Sequence, residues 1–152
     1  MLPRGLSTLL FLAVLTLALH GQTPLDARYD KAAVDPAKTS IYIGYVKLTA
    51  PIFTRTRTSY VADYKASVFP FFFMSEHGRM TIEASDDDLR RLARGEAVQF
   101  KGHAENSDGA TRLVVGRAVP EDAIRGKLKV RVFVSKRIQL IFNTTYHFAG
   151  GP

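Results

Sequence analysis

From Thr39 onward the apolar residues of this chain recur at every second position, the period of half-buried β-strands rather than of helices. Residues 127–134 are the clearest case. Leu128, Val130, Val132 and Val134 share one side of an extended backbone, and Lys127, Lys129 and Arg131 share the other. Residues 58–68 repeat the pattern with Tyr60, Ala62, Tyr64, Ala66 and Val68, and residues 138–148 with Ile138, Leu140, Phe142, Tyr146 and Phe148. Residues 39–50, rich in Ile, Tyr, Val and Thr and apolar on both sides, read as a central strand ended by Pro51. Further strands are expected at 79–84, after a turn at Glu76-His77-Gly78, and at 97–104 and 111–118, joined through an Asp108-Gly109 turn.

The period changes once. Ser85 followed by Asp86, Asp87 and Asp88, with arginines at 90, 91 and 94 and then Gly95, is the signature of one short helix over about 86–94. Its acidic residues suit the positive end of the helix better than a calcium site, which needs six to eight oxygens from spaced positions. The expected fold is therefore mainly β: one domain over 39–148, a small antiparallel barrel or sandwich of about seven strands. Closure would avoid long exposed edges. The element order over 39–118 is that of an OB-fold barrel, with the last hairpin as an addition and no residue motif alongside it.

The first twenty residues carry a different signal. Arg4 precedes a short apolar run from Leu6 to Leu19, and His20, Gly21 and Gln22 begin a polar stretch. This is the pattern of a secretory signal peptide over 1–21, cleaved near Gly21, and the run is shorter than a membrane span requires. Residues 22–38, polar with two prolines, read as a flexible lead-in, and 149–152 as a tail. The chain has no cysteine, so it has no disulfide framework, thiol nucleophile or lipidated cysteine. Export without disulfides points to a bacterial envelope, periplasmic or extracellular.

The formal charge is +7, and its placement is uneven. Within 111–137 stand Arg112, Arg117, Arg125, Lys127, Lys129, Arg131, Lys136 and Arg137, against only Glu121 and Asp122. Lys127, Lys129, Arg131, Arg117, Lys136 and Arg137 are thus the candidate anion-binding residues, for an acidic polymer, a lipid head group or an envelope protein. The competing reading is a solvated strand face that blunts edge pairing. Phe71, Phe72 and Phe73 are a candidate apolar contact. Three adjacent strand positions cannot all face one core, so they either meet a partner or fold over a barrel mouth. Tyr60, Tyr64 and Phe100 read as core, with base or sugar stacking as the alternative.

No nucleophile elbow, phosphate-binding loop or dinucleotide fingerprint is present. His77, His103 and His147 lack metal-site spacing, so neither metal nor cofactor is expected. Asn143-Thr144-Thr145 matches a glycosylation sequon but lies inside an expected strand. The preferred function is a non-enzymatic envelope domain, structural or binding an anionic partner through its basic strand face. Alternatives are an OB-like binder of nucleic acid or polysaccharide, a hydrolase in which Asp63, Glu83 and Glu105 converge, and a small outer-membrane barrel. Export weighs against nucleic acid.

Overall fold

The computed structural model describes residues 24–150; the expected export signal lies outside them. The chain forms a closed antiparallel barrel of eight staves. Two staves are each interrupted by a proline. The first is β1 (Lys31–Val34) and β2 (Ala37–Ser40), split at Asp35-Pro36; the second is β3 (Tyr45–Thr49) and β4 (Ile52–Arg55), split at Ala50-Pro51. The remaining staves are β5 (Ser59–Phe69), β6 (Glu76–Glu83), β7 (Val98–Asn106), β8 (Thr111–Pro120), β9 (Arg125–Phe133) and β10 (Gln139–Phe148), with helix α1 (Asp86–Ala93) between β6 and β7. Each stave pairs with its sequence neighbour, and β1 closes the ring on β10, with Ala32 opposite Phe148 and Val34 opposite Tyr146. This is an up-and-down order, not the Greek-key order of an OB-fold.

The prolines explain the split staves. Proline donates no ladder hydrogen bond, so Pro36 and Pro51 are tolerated only where pairing is relaxed. Register is the same on either side of the split, with Ala33 opposite Ile52 and Ala37 opposite Leu48. Toward β5 it slips by one residue, since Thr49 faces Lys65 whereas Thr54 faces Val61. That is a β-bulge, and it bends the wall.

Three expectations are corrected here. Residues 31–38, expected as part of a lead-in, supply β1 and the start of β2 and seal the barrel; the short polar stretch hides strands only two turns of the pleat long. Residues 39–50, expected as one strand, are broken by a hairpin turn at 41–44. Gly44 makes the turn, at φ +96°, and a Cβ there would lie 1.8 Å from the Phe69 carbonyl oxygen. The Glu76-His77-Gly78 turn is likewise strand: the reversal occupies 70–75 instead. Helix α1 forms where expected, with Ser85 and Asp88 in a reciprocal capping box.

The inward positions are those the alternation marks. Tyr60, Ala62, Tyr64, Met80, Val98, Ala104, Val114, Ala118, Phe142, Tyr146 and Phe148 are buried. Val114, Phe142 and Leu89 of α1 are the most completely buried large side chains, each worth roughly 1.5–3 kcal/mol of transfer free energy. The two ends of the barrel differ. At one end α1 and a 3-10 turn, Ala27–Asp30, close the opening. Tyr29 packs edge-on against Phe148 at 4.6 Å, and Tyr60 Oη donates to the Tyr29 carbonyl. Burial pushes the Tyr60 hydroxyl up to about 12, even with Arg55 opposing the shift. Arg55 also bonds the Ala84 carbonyl (3.2 Å) and Asp86 (2.5 Å), tying β4 to the first turn of α1. Ala149 and Gly150, expected as tail, donate to Lys31 and Arg28 carbonyls.

At the other end lie the 41–44, 70–75, 107–110 and 134–138 turns. Here the filling is partly polar. Glu76 accepts hydrogen bonds from Tyr64 (3.0 Å), Asn106 (3.1 Å) and Arg112 (3.3 Å), and Arg112 also donates to the Val134 carbonyl (2.9 Å). Burial pushes the Glu76 carboxyl up, but the three donors outweigh it and hold the carboxyl below its ordinary range. The same burial, with the neighbouring carboxylate, raises the Tyr64 hydroxyl. No buried side-chain polar atom among the described residues is left without a partner.

Candidate functional site

An eight-stranded barrel is just wide enough either to be filled by its own side chains or to hold one small ligand. In this chain inward positions alternate between large and very small residues. Ala32, Ala37, Ala50, Ala84 and Ala118 all border an interior cavity of about 130 Å³. Its wall is almost wholly apolar, with Leu48, Phe53, Met80, Leu92, Val98 and Leu128 among the larger contributors. An apolar cavity of ~150 Å³ engineered in another protein stays dry and admits benzene. This one is therefore a site for an apolar group.

The cavity borders a second feature. On the outer wall, over β7, β8 and β9, a shallow hollow is lined by Gln99, Lys101, Arg117, Lys129 and Arg131. Glu83, Asp88 and Phe100 line both the hollow and the interior cavity. Phe100 is half-buried and lies over Gly116, directly opposite it on β8; a Cβ at Gly116 would stand 2.4 Å from the Phe100 ring. The glycine is what lets the ring lie flat against the wall. The two acids at the junction are engaged: Asp88 Oδ2 accepts from Ser85, and Glu83 pairs with Lys101 at 3.9 Å.

The hollow is electropositive for a reason visible in the register. Arg117 is paired with Lys129, and Val115 with Arg131. Lys127, Lys129 and Arg131 alternate along the outer face of β9. Lys127 pairs with Glu121 at 3.7 Å, whereas Arg117, Lys129 and Arg131 have no carboxylate within 4 Å among the described residues. The structure thus brings together four of the six candidate cations, Arg117, Lys127, Lys129 and Arg131. Lys136 and Arg137 lie apart, in the exposed turn after β9 at the far end of the barrel.

The candidate aromatics divide. Phe71 is half-buried against the cluster of Ala37, Val46, Val68 and Phe142, whereas Phe72 and Phe73 are exposed in a 3-10 turn. Tyr60 and Tyr64 are core. Asp63 and Glu105 face outward on either side of Arg79, which pairs with Asp63 at 3.7 Å, and Glu83 stands toward the other end of β6. Among the described residues no group of three or more side chains is placed to hold a metal ion. The outward positions of β5 to β9 include Asp63, Lys65, Arg79, His103, Lys101, Arg117 and Lys129, so the outer wall is charged where an outer-membrane barrel needs an apolar band. No helix of the described residues is long and apolar enough to cross a membrane.

Sequence reasoning missed the cavity. The available signal was the set of alanines in and beside the strands (Ala32, Ala37, Ala50, Ala84, Ala118), too small to fill a barrel. Compared with known proteins, the chain matches no family model, no curated protein and no solved structure.

Proposed function

We propose that this chain is an exported, non-enzymatic binding barrel of the bacterial cell envelope. Its ligand is a small amphiphile: a ring or the terminal part of an apolar chain held inside the barrel and an anionic head held by Lys101, Arg117, Lys129 and Arg131 outside. One observation carries the reading. The apolar cavity and the basic hollow share Phe100, Glu83 and Asp88 as lining, so the two adjoin across the wall, and a molecule reaching round its Glu83 and Asp88 side, beside α1, would meet both chemistries. Apolar burial supplies most of the affinity, at about 0.8 kcal/mol for each methylene removed from water. The cations supply orientation and a salt-sensitive share. The basic strand face thereby keeps the anion-binding role its sequence suggests, on a ligand small enough to enter a barrel.

Calorimetric titration with decyl phosphate, decanol and inorganic phosphate tests the reading. Decyl phosphate is expected to bind tightest, decanol more weakly and inorganic phosphate not measurably. Replacing Arg117 and Lys129 together with glutamine should bring decyl phosphate down to the level of decanol. Equal affinity of decyl phosphate and inorganic phosphate would leave only the outer face as a site, and the interior would have no role.

A further inference from the structure

The end of the barrel opposite α1 presents apolar side chains to water in a way the rest of the surface does not. Tyr42 and Ile43 stand at the tip of the 41–44 hairpin, Phe72, Phe73 and Met74 in the 70–75 turn, and Ile138 after β9. Tyr42 is fully exposed and Phe73 is 85% exposed. The first two loops are joined by an aromatic chain: Tyr45 stacks on Phe69 at 5.3 Å, and Phe69 meets Phe72 edge-on at 5.7 Å. Phe71 anchors the second loop against the buried cluster of Ala37, Val46, Val68 and Phe142, and the turn preceding β10, which supplies Phe142, carries the third tip. Three neighbouring loops therefore project apolar groups in one direction from a rigid base. Apolar clusters of this kind on a water-facing surface mark contact sites.

The charges around these tips are of one sign. Lys136 and Arg137 immediately precede Ile138, Lys38 and Lys47 face outward three to four residues below the 41–44 turn, and Lys65 faces outward five residues before the 70–75 turn. At strand rise these last three lie roughly 10–17 Å behind the apolar ends. The one carboxylate on the three loops or at their bases, Glu76, is turned inward and committed to Arg112, Asn106 and Tyr64. Acidic Glu105 and Asp108 belong to the fourth hairpin, which carries no exposed apolar tip. Self-association through this end would bring the cations of two copies face to face, a repulsive arrangement. An anionic lipid surface suits both features. Apolar side chains sink about 5–10 Å into the boundary between head groups and acyl chains, and lysines behind them then lie at head-group level.

We propose that this end of the barrel docks on an anionic membrane surface through Tyr42, Ile43, Phe72, Phe73, Met74 and Ile138, with Lys38, Lys47, Lys65, Lys136 and Arg137 reading the lipid charge. The inference is independent of the interior ligand, whose hollow lies on the wall nearer α1.

Flotation of the mature chain with phosphatidylcholine vesicles, with and without 30% phosphatidylglycerol, tests it. Binding is expected only to the anionic vesicles, falling several-fold as salt is raised from 50 to 300 mM. The doubly substituted F72S/F73S chain should lose at least tenfold in vesicle affinity while staying folded with a melting temperature within a few degrees of the parent, because both side chains are mostly exposed and lose only edge-on ring contacts. K136E/R137E should lose as much, and K31E/R57E at the α1 end, with the same change in net charge, should stay within threefold of the parent. Because the chain has no tryptophan, F73W provides a single reporter, and its emission should shift blue on anionic vesicles alone. Three outcomes overturn the proposal: equal loss in the two charge-reversed variants, unaltered binding by F72S/F73S, or a vesicle-free dimer that F72S/F73S dissociates.

Discussion

Arg117 and Lys129 lie directly opposite each other on β8 and β9, two cations on the outer wall with no carboxylate within 4 Å of either among the described residues. Like charges in register across a sheet cost stability, by about 0.2–1 kcal/mol. A fold that merely needed a soluble outer face would interleave signs, as it does where Lys127 meets Glu121. Lys129→Gln is therefore expected to raise the midpoint of urea unfolding slightly and to weaken binding of decyl phosphate several-fold. Parallel unfolding and calorimetric measurements check this. A destabilised variant with unchanged affinity would mean that the pair has a structural role only.

The Phe100–Gly116 contact is the junction between interior and hollow, and it leaves no room. A methyl group at 116 would meet the Phe100 ring at 2.4 Å and the Lys129 carbonyl oxygen at 2.6 Å. Gly116→Ala should cost roughly 1–3 kcal/mol, the usual range for overpacking. Because one of the two obstacles is backbone, adding Phe100→Leu should recover only part of the loss. Urea denaturation of the single and double variants measures both quantities.

The alanines that leave the cavity open can also be used to close it. Ala118→Leu projects three further carbons toward Leu128, Val98 and the void. Because the space is already apolar and empty of side chains, stability should stay within about 1.5 kcal/mol of the parent. Affinity for decyl phosphate and for decanol should fall together, by at least tenfold. A calorimetric comparison decides it; loss of decyl phosphate alone would place the effect outside the barrel.

The polar filling at the opposite end sets an acid limit. The Glu76 carboxyl is held below its ordinary range, so its folded-state affinity for a proton is lower than that of the unfolded chain. The stability it contributes is present above the unfolded-chain value of 4.5 and is lost as the pH falls through the depressed folded value. Melting temperature should therefore drop below about pH 4.5 in the parent. In Glu76→Gln the drop should be shallower, starting from a lower plateau at pH 7, because a neutral amide pairs less strongly with Arg112. Melting curves between pH 3 and 7 test both slope and plateau.

The periodicity of the long strands carried their placement directly. Tyr60 to Val68, Leu128 to Val132 and Leu140 to Phe148 face inward as the alternation requires, because a one-residue slip would turn each set to the solvent. The capping box at Ser85 was equally legible, since its hydrogen bonds are local. What was not legible depends on pairing between distant segments. The four-residue β1 has no periodicity long enough to recognise, and it is a strand because β10 and β4 flank it. The hairpin turn at 41–44 is hidden among β-branched and aromatic residues, with only Gly44 to betray it. The basic cluster was half legible: alternation placed Lys127, Lys129 and Arg131 together, but only register brings Arg117 to them and leaves Lys136 and Arg137 at the rim. The cavity is a property of the closed ring, and small residues become a void only once the ring has a circumference.

Nuclear Overhauser contacts between the alkyl protons of bound decyl phosphate and the methyl groups of the protein test the central claim most directly. The account predicts contacts to the inward methyls of Leu92, Val98, Leu128 and Val130, with phosphate-dependent amide shifts at Arg117 and Lys129. Contacts confined to the outward methyls of Val115 and Val119, or saturating ligand with no methyl contact at all, would contradict it.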